Sequence, residues 1–223
     1  STLFPYTTLF RSLADARHPP AHPCGRPPGL LAQRGGRRDR VTETYPCYDW
    51  TRKKSVGSSS LLAGGCHAID AIRWFMQSDV IEVTAYSSKS RNDLEFDGTI
   101  AVLLKFANGT MGKVGSSYDS VSPYIFNLHL FGDKGTLLNN KLFSPDEIPG
   151  QKDFMEIPVT TPDSGDVSHH PFPQEIHHFI DCILQDQETI VNLNDAMKTQ
   201  EIIFAADLSA EIGKPVRLPL SVH

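Results

Sequence analysis

The chain has 223 residues, a formal charge of −5 and 39% hydrophobic side chains, which suits a globular protein with a sizeable core. No basic stripe follows residue 41, which excludes a nucleic-acid surface built to neutralise phosphates, and no apolar run is long enough to span a membrane. The four cysteines lack paired spacing, so neither a disulfide framework nor a zinc ribbon is expected, and a reduced, cytoplasmic setting fits best.

Residues 1–41 carry seven arginines, no lysine and only two acids, Asp15 and Asp39, among many Pro, Gly and Ala. Such a stretch buries too little surface to offset its ordering entropy, so it is expected to be unstructured. Its opening, STLFPYTTLFRS, resembles a translated sequencing-adapter tail, and residue usage changes abruptly after Val41. Residues 1–41 are therefore read as foreign to the protein, the alternative being a basic arm for an acidic partner. The folded domain is expected over 42–220.

From Ser59 the pattern becomes regular. Leu61, Leu62, Cys66, Ile69, Ile72, Trp74, Phe75 and Met76 recur at helical spacing behind a serine-rich N-cap, which predicts a buried helix ending near Gln77. Runs rich in Val, Ile, Thr, Tyr and Phe then predict strands over 80–87, 99–106, 110–118, 125–131 and 136–138. Asn108-Gly109 and Gly132 to Gly135 are hairpin signals, and hairpin-linked strands pair antiparallel. Phe172, Ile176, Phe179, Ile180 and Ile183 form the apolar stripe of a second helix. A third runs from about Asp195 to Ile212, capped by Asn194 or Asp195 and closed by Gly213 and Pro215. The expected class is α+β, a mostly antiparallel open-faced sheet with helices packed on one face. Ile125, Leu128, Leu130, Val102 and Leu104 are assigned to the uncovered face, through which the chain is expected to form a homo-oligomer.

The segment SLLAGGCHAID (60–70), followed by Ile72-Arg73-Trp74-Phe75, resembles the glucose-fructose oxidoreductase, inositol dehydrogenase and MocA family. PQEIHHFIDCI (173–183), Asn194-Asp195-Ala196 and SAEIGKPV (209–216) are similar to that family's closing helix pair and short last strand. The resemblance implies the C-terminal substrate and oligomerisation domain of an NAD- or NADP-dependent dehydrogenase acting on a CH–OH group of a sugar or polyol. It also implies a separate dinucleotide-binding domain with a glycine-rich turn. No such turn follows a strand in this sequence, so the chain alone is expected neither to hold the cofactor nor to turn over.

Oxidising an alcohol needs a base for the hydroxyl proton, and a histidine titrates in the right range. The resemblance places that base at His67, with Asp70 on the same helix face as its orienting partner. The family's usual aspartate, one turn before the histidine, is here Ala63. Trp50, Arg52 and Lys53 precede the helix where the resemblance implies substrate contact, and His170 lies at the start of the later helix, within reach of the cleft. Two rival readings remain. A metal hydrolase using Cys66, His67, His169, His170, His177 and His178 lacks any ligand spacing that converges on one ion. A non-catalytic binding or dimerisation module is favoured by Ala63.

Overall fold

The computed structural model describes residues 29–35, 52–56, 59–120, 125–159 and 172–221. Alternation of apolar and polar residues produces β2 (Val80–Ser88), β3 (Thr99–Phe106) and β4 (Met111–Ser117), each antiparallel to the next. The β3–β4 hairpin turns where expected. Gly109 takes φ 86°, Phe106 and Thr110 close the loop, and Asn108 Oδ1 accepts from the Thr110 amide at 3.1 Å. β5 (Ile125–Phe131) and β6 (Thr136–Leu138) form the second expected hairpin, closed by the Gly132 amide on the Gly135 carbonyl at 2.9 Å.

Short strands β7 (Lys141–Phe143) and β8 (Met155–Glu156) extend one edge, and β9 (Val216–Arg217) pairs with β2 at the other. A further strand, β1 (Gly29–Gly35), lies between β4 and β5. Over residues 29–35 it departs from the expectation of an unstructured arm; the rest of 1–41 lies outside the described residues. Gly29 to Ala32 are small or apolar, and the strand is held by backbone pairing on both sides, parallel to β4 and antiparallel to β5. The result is one sheet in the order β8-β7-β6-β5-β1-β4-β3-β2-β9.

One face of this sheet carries helices. Leu61–Gly65 wind as a π-type turn that runs into α1 (Cys66–Met76), which ends as Gln77 adopts a left-handed conformation. α3 (Leu193–Ile212) packs beside it; its N-cap is Asn192, whose side chain accepts from the Asp195 amide at 3.0 Å, rather than Asn194 or Asp195. Its other end closes at Gly213 as expected, with φ 65°. Ile69 and Ile72 of α1 and Ile202 and Ile203 of α3 meet Val83, Ala85, Val102, Leu104 and Val114 in a continuous core. Each such side chain, fully buried, stabilises the fold by roughly 1.5–3 kcal/mol.

Val102 and Leu104 thus point under the helices, and Leu128 and Leu130 are partly buried against the same core, which corrects their assignment to the open face. Period-two alternation fixes which residues share a face but not which face is covered. The open side instead shows Tyr86, Leu103, Lys105, Met111 and Lys113, and among the described residues no element lies over it. The side chain of Ile125 lies outside the described residues. The helix of the Phe172 stripe, α2 (Phe172–Leu184), also forms where expected, but its stripe is exposed.

Candidate functional site

α1 is held at three places, and these fix which way its outer face looks. At its start the Ser60 hydroxyl, buried, lies 3.0 Å from Ser116 Oγ of β4 and 3.2 Å from the Gly98 carbonyl, while Ser116 donates back to the Ser60 carbonyl at 3.0 Å. Along its middle, Ile72 sits against Gly112 of β4, where a side chain would have no room. At its end Arg73, with a side chain only 12% exposed, reaches across to α3. It donates to Asp195 Oδ1 at 2.8 Å and to Thr199 Oγ1 at 2.7 Å, and Thr199 in turn donates to Asp70 Oδ1 at 2.9 Å. The Arg73 guanidinium holds the Asp195 carboxyl below the ordinary carboxylate range.

With Ala68, Ile69, Ile72 and Met76 turned to the sheet, the residues on successive turns of the opposite side are Ala63, His67, Asp70 and Trp74. His67 is exposed there, about 10 Å along the helix axis from Ser60. Trp74, placed among the buried positions by periodicity, is 42% exposed on the same line and stacks edge-on against Phe75. Asp70 shares the face of His67, and its Oδ1 is engaged by Thr199 and lies 3.5 Å from Arg73. The spacing of His67 and Asp70 made their common face legible. The lock through Arg73, Asp195 and Thr199 was not, because it joins residues far apart in the chain.

Arg52 and Lys53 lie beyond the N-terminal end of the π-type turn. Arg52 is half-buried, 3.4 Å from Asp93, and its carbonyl accepts from the Glu95 amide at 2.9 Å; Lys53 is exposed. Arg91 also binds Asp93, and its hydrogen bonds hold that carboxyl below the ordinary range. Arg52 is therefore tied to the loop between β2 and β3 rather than reaching along α1. Nearby, burial pushes the Asp207 carboxyl of α3 up, against the opposing influence of Ser59 and Lys54. Trp50, His169 and His170 lie outside the described residues.

Among the described residues no group of three His, Cys, Asp or Glu is placed to hold a metal ion. His178 instead accepts from the Ile190 amide at 3.1 Å and sits against Cys182, whose thiol lies 3.5 Å from the Glu188 carbonyl. The glycine pair Gly64-Gly65 does not form a phosphate cradle. Gly64 and Gly65 are buried in the π-type turn, and Gly65 lies so close to Leu61 and Ser116 that it faces the sheet rather than a phosphate.

The family model described as "Oxidoreductase family, C-terminal alpha/beta domain", that of the Gfo/Idh/MocA proteins, matches residues 33–218. The chain belongs to the Gfo/Idh/MocA oxidoreductase family. It is similar to the uncharacterized oxidoreductase YrbE of Bacillus subtilis, with 27% identity over 163 residues, 68% of this chain and 46% of that protein. Among solved structures, GenD2 from gentamicin A biosynthesis, in complex with NAD, superposes with a TM-score of 0.70 at 18% identity, covering 97% of this chain and 61% of that one. The WlbA dehydrogenase of Bordetella pertussis, in complex with NADH and UDP-GlcNAcA, gives 0.65 at 19% identity, covering 86% and 56%. These similarities show the fold. The chain spans about half the length of these Gfo/Idh/MocA relatives, and what it matches is their C-terminal domain. Among the described residues no helix is long and apolar enough to cross a membrane.

Proposed function

We propose that this chain is the substrate-binding and oligomerisation half of an NAD- or NADP-dependent dehydrogenase that oxidises a secondary alcohol of a sugar or polyol. The observation that carries the reading is the exposure of His67 on the outer face of a helix that its inner face pins to the sheet. A base on a rigid element keeps its position through the reaction. The nicotinamide supplies hydride acceptance when bound. His67 takes the hydroxyl proton through an imidazole nitrogen. Asp70 orients His67 from the next turn, itself anchored by Thr199 and Arg73. Lys53, with Trp50 and His170, is assigned to hydroxyl or acidic groups of the substrate, while Arg52 holds the β2–β3 loop through Asp93. The two cysteines among the described residues are free thiols, which is consistent with a cytoplasmic setting.

The open sheet face is the proposed homo-oligomer contact, through Tyr86, Leu103 and Met111 rather than through Val102 and Leu104. Sedimentation showing a dimer or larger species, reduced to monomer by Leu103→Asp, is the expected result; a monomer at all concentrations removes this contact.

The test of the enzyme reading uses the product of this gene extended through its dinucleotide-binding half, supplied with NAD or NADP and a panel of sugars and polyols. His67→Ala is expected to lower kcat by about 10²–10⁴, the usual contribution of a positioned base. Unchanged turnover would remove the assignment. A second reading, a non-catalytic binding or dimerisation module, is favoured by Ala63, which leaves no carboxylate one turn before His67. A nicotinamide titration of the same product separates the two, since only the enzyme must bind the dinucleotide.

A further inference from the structure

We infer that His178 is a pH-operated latch that ties α2 to the capped start of α3, closed while its imidazole is neutral and open once the ring is protonated. The backbone N–H of Ile190 donates to His178 Nε2 at 3.1 Å. A main-chain amide nitrogen offers only its proton, so Nε2 must supply the lone pair, and the proton of the neutral ring sits on Nδ1. Protonation places hydrogens on both ring nitrogens and turns Nε2 from acceptor into donor. Two donors then face each other and the bond to Ile190 is lost. The protonated nitrogen still has the sulfur of Cys182, 3.6 Å away, to turn to, but that contact leaves the amide without its partner. The device works on local chemistry and is independent of the enzyme reading.

The bond matters because little else among the described residues secures α2. Cys182 is the one buried residue of that helix, and its thiol reaches the Glu188 carbonyl at 3.5 Å. Asp186 takes a left-handed φ of 52°, and the Gln187 amide returns to the Cys182 carbonyl at 2.9 Å, so the chain doubles back along the helix and brings Ile190 to His178. Two residues later Asn192 caps α3. Its Nδ2 donates to Glu188 Oε2 at 3.1 Å, and its Oδ1 accepts from the amide of Asp195, the residue gripped by Arg73. One short segment therefore runs from the imidazole to the tie between α1 and α3. The titratable groups around His178, which is itself half-buried, are few. On α2 the exposed Glu175 and Asp181 lie one turn to either side and Cys182 lies beneath, while His177 projects about 100° away. In the segment Asp186 is exposed and Glu188 is drawn to Asn192. On α3, Asp195 is committed to Arg73 and Lys198 to Asp79.

¹⁵N NMR of this chain between about pH 5 and 8, the interval in which histidine changes charge, tests the latch. At the upper end His178 is expected to carry its proton on Nδ1, the minor tautomer of a free imidazole in water. On acidification the Ile190 amide should move in one transition with the His178 ring. Its exchange protection, corrected for the intrinsic effect of pH, should fall about two- to tenfold, the worth of one such hydrogen bond. The ring of His177 should titrate without moving Ile190. His178→Gln supplies an acceptor that does not titrate, so the Ile190 amide should stay protected and lose its response to pH. A proton on Nε2 at the upper end, an Ile190 amide that ignores the titration of His178, or the same acid transition persisting in His178→Gln would each overturn the inference. The first two are read on the unaltered chain, so they decide the matter even where the glutamine variant does not fold.

Discussion

α1 and α2 look alike as sequence, two short helices each with one apolar stripe, and they differ in where the stripe goes. α1 buries Ala68, Ile69, Ile72 and Met76 against the sheet; α2 leaves Phe172, Ile176, Phe179, Ile180 and Ile183 exposed and buries Cys182 alone. Apolar periodicity therefore states that a face is to be covered and says nothing about what covers it. For α1 the cover is the described sheet. For α2 no described element covers it.

The difference should appear first in stability. Ile72→Ala is expected to cost about 2–5 kcal/mol in urea unfolding of this chain, as core truncations to alanine do. Phe179→Ala, the larger truncation, should change stability by no more than about 0.5 kcal/mol in the same experiment, because its ring has little to lose. A large loss at Phe179 would mean that α2 is already covered in the short chain.

The tie between α1 and α3 comes next. Arg73→Ala removes hydrogen bonds to Asp195 and leaves the buried Thr199 hydroxyl with one partner fewer, for an expected loss of about 1.5–3 kcal/mol. Gly112→Ala should cost about 1–3 kcal/mol by overpacking, since its Cβ would lie 2.2 Å from Ile72 Cδ1. Pairing it with Ile72→Val should recover part of that loss if the clash is the cause.

The smallest effects are in pH dependence, and two acids of α3 should act in opposite directions. The hydrogen bond from Arg73 lowers the folded-state pKa of Asp195, so its stabilisation is present above the unfolded carboxylate value and is lost as pH falls through the folded one. Asp195→Asn should make the acid limb of the stability curve shallower. Burial raises the folded-state pKa of Asp207, so its contribution is present below the unfolded value and is lost as pH rises through the folded one. Asp207→Asn should remove that decline above about pH 4. Chemical denaturation across pH 2.5–7, a range set by the ordinary carboxylate values near 4, reads both.

Much of this was legible because it is local. Asn108-Gly109 forces a tight turn whatever surrounds it, and the spacing of Ile69, Ile72 and Met76 defines a helix face without knowledge of the sheet below. The ladder from Ala63 through His67 and Asp70 to Trp74 follows from the same period, although only burial shows that Trp74 belongs to the outer line. What escaped depends on distant partners. β1 has few apolar residues amid Arg and Gly, and becomes a strand through pairing with β4 and β5. Val102 and Leu104 alternate correctly with Ala101 and Leu103, but which set meets the helices is decided by α1 and α3. Arg52, read as reaching substrate, is drawn to Asp93 in a loop that carries no periodic signal.

The central claim is that the outer face of α1 meets the nicotinamide, and the imidazole of His67 can report on it directly. In the gene product extended through its dinucleotide-binding half, with ¹⁵N-labelled histidine assigned by His67→Gln, NADH is expected to shift the His67 ring resonances, while those of His177 and His178 keep their positions. Saturation with the dinucleotide that leaves the His67 signals unmoved would contradict the account.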